Sequence, residues 1–423
     1  MQTHQDTKPN SMLNHKQRQY AVECQFFDER HVPSNTQLCE HTQQSRYAQC
    51  SFYCILVVVV QSAALCTVKL VVVAIYALLV VLLGYMAMIS HEMRSIPDCV
   101  VSLQLPPHPG CNREQALCSK RYDETAHATM HNAFATTQDG IFFAQHRGCM
   151  RSALVHGVRS FMLDVHMTSS GNVALCHYSC TLGTVSLSAT LDMLVLFVLQ
   201  NPREIITIIW EMVPDTTGPE AALTLHTQWM AAMLKSGMPN HMFARQQNTG
   251  AWPTLQQMIQ DGTRIVSFSS LQMYSWTEVD WDMQGRFFLA QTPFSNANAL
   301  ELEQNCFVQT KFRPAWSMPW APLLVMNQFT VLAALGINAD QTSKLGHFFG
   351  IRALYKINGV DLLWHRVFPC AQCLAQMPNF VVVDFWDSSG VVQVVHSLNN
   401  LSRENMQRIE SGNSTACSVL VPV

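Results

Sequence analysis

The sequence predicts an α/β protein: a TIM-type (β/α)8 barrel preceded by a transmembrane helix. Three observations predict it. From roughly Asp123 to Leu398, short apolar β-branched runs alternate with longer helical patterns. The run Ile205-Ile-Thr-Ile-Ile209 is almost continuously apolar, as strands buried on both faces of a parallel sheet are. Ahead of both lies Leu70–Ile89, twenty residues without a charge. At about 1.5 Å per residue such a helix crosses a hydrocarbon core of about 30 Å.

Residues 1–51 are rich in Gln, Asn, His and Ser without an apolar period, and read as a disordered tail. Residues 52–89 form the membrane segment, with 70–89 the best span. Its upstream part, Phe52–Val68, carries Gln61, and Lys69 separates the two runs. One span beginning between Ile55 and Leu70 is the simplest reading; a tight hairpin of two spans is the alternative. The apolar stretch is too long and too far from the start for a cleaved signal peptide, and core helices seldom run so far without polarity. Lys8, Lys16, Arg18, Arg30 and Arg46 precede it, whereas only Arg94 and then Arg113 follow, which leans towards an inside amino terminus. Residues 90–122 read as a stalk, 123–400 as the barrel and 401–423 as a loose carboxyl-terminal tail.

Charged residues make up 13% of the chain and hydrophobic ones 48%, about half the usual charged share, so part of the chain should meet lipid. The net charge of -3 argues against a nucleic-acid partner, which calls for a basic face. Of the fifteen cysteines, ten follow the apolar stretch, an even number containing close pairs. They read as a disulfide framework. Cys176 and Cys180 flank His177 and pair if that loop curls; Cys111–Cys118 and Cys370–Cys373 are the other close pairs. No doubled CxxC exists for structural zinc. With the sequons at Asn400 and Asn413, the cysteines favour a lumenal or extracellular catalytic part.

The strand candidates are Ala128–His131, Ser160–Val165, Val173–Cys176, Ile205–Trp210, Arg264–Phe268, Leu323–Met326 and Phe380–Phe385. Ser188–Leu199 has helical spacing and is ended by Asn201-Pro202. Polar residues sit at the ends of these runs: His131-Asn132, Asp164 with His166, His177, Glu211 and Asp384. In a (β/α) barrel, reactive residues gather at the carboxyl ends of strands. Each has a bland alternative as a hydrogen-bonded or ion-paired structural residue, and His127, His146 and His156 are read as structural or surface histidines. Trp316, Trp320 and Trp364 suit either a lipid-facing rim or core packing.

Met130-His-Asn-Ala-Phe134, Gly157-Val-Arg-Ser-Phe-Met-Leu-Asp164 and Leu175-Cys-His-Tyr-Ser-Cys180 resemble the opening motifs of the phospholipase C X-domain superfamily. Asn201-Pro-Arg-Glu-Ile205 leading to Trp210-Glu211 resembles its fourth strand and the turn before it. Trp252-Pro-Thr-Leu255, Arg264-Ile-Val266 and Pro378–Phe385 are similar to later segments of its eukaryotic PLC-like phosphodiesterases. The ordered match covers about 123–400 and is weak between Glu278 and Ala321.

The resemblance implies a membrane-tethered phosphoric diester hydrolase that cleaves inositol phospholipids or inositol-lipid anchors through a cyclic inositol phosphate. His131 would take the proton of the inositol 2-hydroxyl and His177 would protonate the diacylglycerol oxygen, roles that a group titrating near neutrality can fill. Asp384 would orient His131. Arg159 would touch phosphate or prop its strand. Positive charge on the phosphoryl oxygens comes, in such proteins, from Ca²⁺ or from an arginine. Asn132, Asp164 and Glu211 are the hard donors for Ca²⁺ or Mg²⁺. A carboxylate of the metal pattern is here Met162, a poor ligand for a hard cation, and the arginine of the metal-free pattern is here His166. Two other functions compete: hydrolysis of another lipid or glycerophosphodiester, weakened because Met162-Leu-Asp164 lacks the Glu-x-Asp pair of those relatives, and an inactive barrel that binds lipid or protein.

Overall fold

The computed structural model describes residues 68–84, 99–141, 144–177, 179–214, 218–244, 251–269, 283–284, 288–294, 306–308, 323–329 and 358–411. The chain divides into two units, Met1–Gly84 and Tyr85–Val423. In the first, residues 68–84 form one helix, exposed along its length. Among the described residues, no helix is long and apolar enough to cross a membrane. The expected span 70–89 is thus helical as far as Gly84, and the helix from residue 68 is about 25 Å long. Residues 85–89, the upstream run 52–67 and the tail 1–51 lie outside the described residues.

The second unit is built on one sheet. Its strands are β1 (His127–Met130), β2 (Ser160–Met167), β3 (Val173–Leu175), β4 (Ile206–Val213), β5 (Ile265–Ser269), β6 (Met283–Gln284), β7 (Leu289–Gln291), β8 (Leu323–Gln328) and β9 (Phe380–Val383). The order β6-β5-β4-β2-β1-β9-β8-β7 follows the chain around the sheet, and every pairing on this path is parallel. The parallel direction expected of a barrel is present, whereas Val173–Cys176, expected among its strands, lies off the path. The ring is not closed among the described residues, because β6 and β7 end the path unpaired with each other. The sheet is therefore a curled, open parallel sheet. β3 stands apart as an antiparallel hairpin partner of β2.

Period-two alternation sorts the strand side chains into two cores. Ile206, Ile208 and Trp210 of β4 join the helices, meeting Leu191, Leu194 and Phe197 of α2 (Leu187–Gln200; α1 is Met150–Val155). Ile209, Val266, Phe268, Val325, Phe380 and Val382 fill the inside of the curl. Each such buried side chain stabilises by about 1.5–3 kcal/mol. Helix α2 begins where the Ser186 hydroxyl accepts from the Ala189 amide. It ends at Asn201, whose side-chain amide donates to the Phe197 and Leu103 carbonyls at 2.7 and 2.8 Å.

That same Asn201 accepts from the Leu105 amide at 2.8 Å, and Leu103 and Leu105 are buried. The expected stalk is therefore packed onto the domain from about residue 103. Among the described residues, disulfides join Cys99–Cys149, Cys111–Cys118, Cys176–Cys180 and Cys306–Cys370. The second and third match the close-spacing expectation. Cys370 corrects it, since its partner lies 64 residues away and not at Cys373. After α3 (Pro219–Ser236), α4 (Leu255–Gln260), α5 (Val360–Leu374) and α6 (Val391–Asn399), the expected loose tail starts instead as α7 (Arg403–Glu410), capped by Ser402 and burying Ile409.

Candidate active site

The register of β1 on β9 assembles the centre of the site. Met130 pairs with Val383, so the next residue of each strand, His131 and Asp384, emerges beside the other. The same alternation that puts Phe380 and Val382 inside the curl turns Asp384 inward. The result is a hydrogen bond of 2.9 Å between His131 Nδ1 and Asp384 Oδ1. The Asp384 side chain is fully buried and that of His131 is 16% exposed. Phe329, just past β8, stacks flat on the imidazole with centroids 3.9 Å apart. Asn358 donates to the Asp384 backbone carbonyl at 2.8 Å. With Nδ1–H given to the carboxylate, Nε2 is left as the acceptor of a proton.

Asn132, Asp164 and Glu211 come to the same end of the sheet. Asn132 follows His131 in the left-handed region, φ 43°, which asparagine tolerates better than most residues. Its carboxamide lies 2.7 Å from Asp164 Oδ1, with the nitrogen turned to the carboxylate. Asp164 on β2 is paired in register with Glu211 on β4. Burial, and then the repulsion of Glu211, push the Asp164 carboxyl well above the usual carboxylate range. A cation placed there would relieve that repulsion, and the three groups are hard oxygen donors. Reversing the Asn132 carboxamide would turn its oxygen towards Asp164, as a cation requires. Among the described residues, no three His, Cys, Asp or Glu side chains by themselves form a metal-binding group. Met162 adds nothing to the set, since it packs against the apolar interior.

His177 reaches this region through the β2–β3 hairpin. β3 runs back along the carboxyl half of β2, pairing Leu175 with Val165, so the chain beyond it returns alongside Asp164. The Cys176–Cys180 disulfide closes the loop around His177, which is 3% exposed. His166, two residues beyond Asp164 on the same strand, shares its inward face and is 8% exposed.

Arg159 is a correction. It precedes β2, at the opposite end of the strand from Asp164. Its Nε donates to Glu204 Oε2 at 2.5 Å, and Nη1 donates to the Leu154 and Val158 carbonyls at 2.6 and 2.8 Å. The guanidinium props the start of the strand and does not face the cluster. Gly157 enters that strand at φ 104°, a backbone state that explains the glycine of the Gly-Val-Arg motif. A cavity of about 850 Å³ beside Arg159, His127 and Gly390 also lies away from the His131–Asp384 pair.

Of the histidines set aside as structural, His127 bonds Thr125 in the core and burial lowers its pKa to about 3. His156 sits on the Ser152 carbonyl. His146 behaves differently, because its Nε2 donates to the His131 carbonyl. Sequence reasoning missed that contact, and it missed Phe329 and Asn358 as neighbours of the dyad. None carries a spacing signal, since all three meet the site only through the fold. Trp364 stacks on Phe368 within α5; Trp316 and Trp320 lie outside the described residues.

An imidazole–carboxylate dyad, a second histidine and paired carboxylates thus lie towards the carboxyl ends of parallel strands of an α/β sheet. Comparison with known proteins carries the assignment further. The PI-PLC X family model matches residues 117–399. The PI-PLC X domain-containing protein 1 of Arthroderma benhamiae is 24% identical over 298 residues, 69% of this chain and 90% of its own. A PI-PLC X domain-containing protein of Arabidopsis thaliana is 26% identical over 202 residues, 42% of this chain and 46% of its own. A Staphylococcus aureus phosphatidylinositol-specific phospholipase C matches at TM-score 0.38 and 13% identity, over 67% of this chain and 95% of its own. The chain belongs to the PI-PLC X family, as its ordered motifs implied.

Proposed function

We propose that this protein is a phosphodiesterase that cleaves inositol phospholipids by histidine acid–base catalysis. The single observation that carries the reading is the 2.9 Å bond from His131 Nδ1 to the buried Asp384. It fixes the tautomer whose Nε2 can take a proton. In the proposed reaction His131 Nε2 removes the proton of the inositol 2-hydroxyl, and that oxygen attacks phosphorus. The bond from phosphorus to the diacylglycerol oxygen breaks, and His177 gives that oxygen a proton. Diacylglycerol and a cyclic inositol phosphate leave; water opens the ring in a second step. Each proton transfer is worth about 10²–10⁴-fold.

Charge on the phosphoryl oxygens needs a positive partner. We place it at Asn132, Asp164 and Glu211, which would hold Ca²⁺ or Mg²⁺ to supply that charge, or at protonated His166. The uncharged run Leu70–Ile89 supports a tether that would keep the domain beside lipid on the lumenal or extracellular face. One observation favours a second reading: Met162 is packed where a metal-binding carboxylate would sit, as in a barrel that binds headgroups without turnover.

The test is incubation of the full chain with phosphatidylinositol vesicles, with and without Ca²⁺ or chelator, followed by phosphorus NMR. A cyclic inositol phosphate formed by the unmutated protein and absent with His131→Ala and His177→Ala supports the proposal. A folded protein that yields no such product overturns it, and vesicle flotation would then address the binding reading. Carbonate extraction of membranes tests the tether.

A further inference from the structure

His131 and Asp384 lie 253 residues apart in sequence and meet at the edge of the sheet, one step past its last ladder pair. The ladder ends at Met130 and Val383. Directly after each dyad residue the chain swings into the left-handed region, at Asn132 with φ 43° and at Phe385 with φ 52°. For phenylalanine this conformation is costly, and it persists only where the surroundings dictate it. Beyond the bond from the His131 amide to the Val383 carbonyl at 3.1 Å, contacts outside the sheet keep the two turns in register.

The segment 145–148 lies across both. The Phe385 amide donates to the Gln145 carbonyl at 2.8 Å, and the amides of Gln145 and His146 both donate to Ala135, in the turn after His131. Trp386 Nε1 donates to the Gly148 carbonyl at 3.0 Å, and Arg147 Nε donates to Asp387 at 2.7 Å. At the centre is the His146 ring, fully buried. Its Nε2–H donates to the His131 carbonyl, while its Nδ1 accepts from the Trp386 amide at 3.4 Å. Both nitrogens are used, and only one neutral tautomer satisfies both bonds. Burial, the largest cause, also holds the His146 pKa down at about 4. With no nitrogen left to face a substrate, the ring cannot transfer protons in the reaction.

We propose that His146 is a positioning residue: it bridges the turn after β1 to the turn after β9 and so holds His131 and Asp384 in contact. The kinetic half of the test rests on the proposed phosphodiesterase reading; the spectroscopic half does not. Three variants separate the arms of the bridge. His146→Gln keeps a donor for His131, His146→Asn keeps an acceptor for Trp386, and His146→Ala keeps neither. His156→Ala is the control, because His156 also packs near Trp386, with ring centroids 5.7 Å apart, but bonds only its own helix.

The full chain, ¹⁵N-labelled at histidine, is examined for the His131 Nδ1–H signal that its bond to Asp384 protects, and kcat and KM are measured on phosphatidylinositol vesicles. The expected result is loss of that signal and a fall in kcat of about 10–100-fold for His146→Ala, with KM little changed, as small misplacements of a catalytic group produce. His146→Gln restores most of both, His146→Asn restores little, and the control changes neither. An unchanged His131 signal in His146→Ala overturns the proposal. If that variant does not fold, equal behaviour of the Gln and Asn variants overturns it. If the unmutated protein turns over no phosphodiester but the signal still follows the variants as described, the bridge stands and the proposed function falls.

Discussion

Replacing Asp384 by Asn tests the dyad with the smallest change of shape. The carboxylate is fully buried and bonds His131 Nδ1 at 2.9 Å. Asparagine fills the same volume, but its amide nitrogen can face Nδ1 and so favour the tautomer with the proton on Nε2. His131 would then have no lone pair to accept the hydroxyl proton. The expected loss is that of one general base, about 10²–10⁴-fold in kcat, equivalent to about 2.7–5.4 kcal/mol in the barrier. Stability should move much less. A charge-assisted hydrogen bond contributes about 1.5–3 kcal/mol, and removing a buried charge offsets part of that. The assay is the initial rate on phosphatidylinositol vesicles at saturating lipid, beside a thermal melt by circular dichroism. A variant that melts within a few degrees of the parent yet keeps more than a third of its kcat would refute the orienting role of Asp384.

Three further outcomes follow from the same contacts. Opening Cys176–Cys180 with paired serines releases only a four-residue loop, worth about 2 kcal/mol by chain entropy, whereas Cys99–Cys149 closes fifty residues and is worth about 4 kcal/mol. The first pair should lower kcat through His177 with a small loss in urea midpoint, and the second should do the reverse. Arg159→Ala leaves the buried Glu204 with only His108, 2.6 Å away, as an ion-pair partner and should cost about 3–5 kcal/mol in a urea titration, while KM stays unchanged because Arg159 does not face the site. Asp164 has a raised folded-state pKa, caused first by burial and then by Glu211. A raised acid favours the fold below the unfolded value, and that advantage is lost as pH climbs through the raised folded value. In chelator, the parent should therefore lose stability above about pH 4 relative to Asp164→Asn, and Glu211→Gln should recover part of the difference; parallel pH–stability curves would refute the coupling.

Much of this was legible in the sequence because parallel strands buried on both faces read as unbroken apolar runs. Ile205–Trp210 and Phe380–Phe385 gave β4 and β9 within three residues at either end. The polar residues that end those runs then marked the carboxyl edge of the sheet, so His131, Asp164, Glu211 and Asp384 could be named before their contacts were known. β6 and β7 escaped, since strands of two and three residues are too short to show a period. The Cys306–Cys370 bridge escaped because proximity in sequence favours Cys373 whereas the fold brings Cys306 to Cys370. Arg159 was ambiguous for a related reason. A motif arginine can serve phosphate or strand, and only its position at the amino-terminal end of β2, bonded to Glu204, decides between them.

The inward face of β2 sets the remaining demand on the site. Met162, Asp164 and His166 alternate along it, roughly 6.6 Å apart at each step. Met162 therefore sits one step deeper, where it packs with Ile209 and Phe268 of the apolar interior. A carboxylate there would be buried without a partner unless a cation held it. With methionine in that place, β2 adds only Asp164 to the site's carboxylates, beside Glu211 and the His131-bonded Asp384. In the proposed reaction a phosphodiester would bring another negative charge to the same rim, which calls for a positive group between them. His166 and a cation bound by Asn132, Asp164 and Glu211 both satisfy that requirement, but they respond oppositely to chelator. Loss of turnover on chelation, with His166→Ala nearly silent, assigns the charge to the cation, and the reverse pattern assigns it to His166.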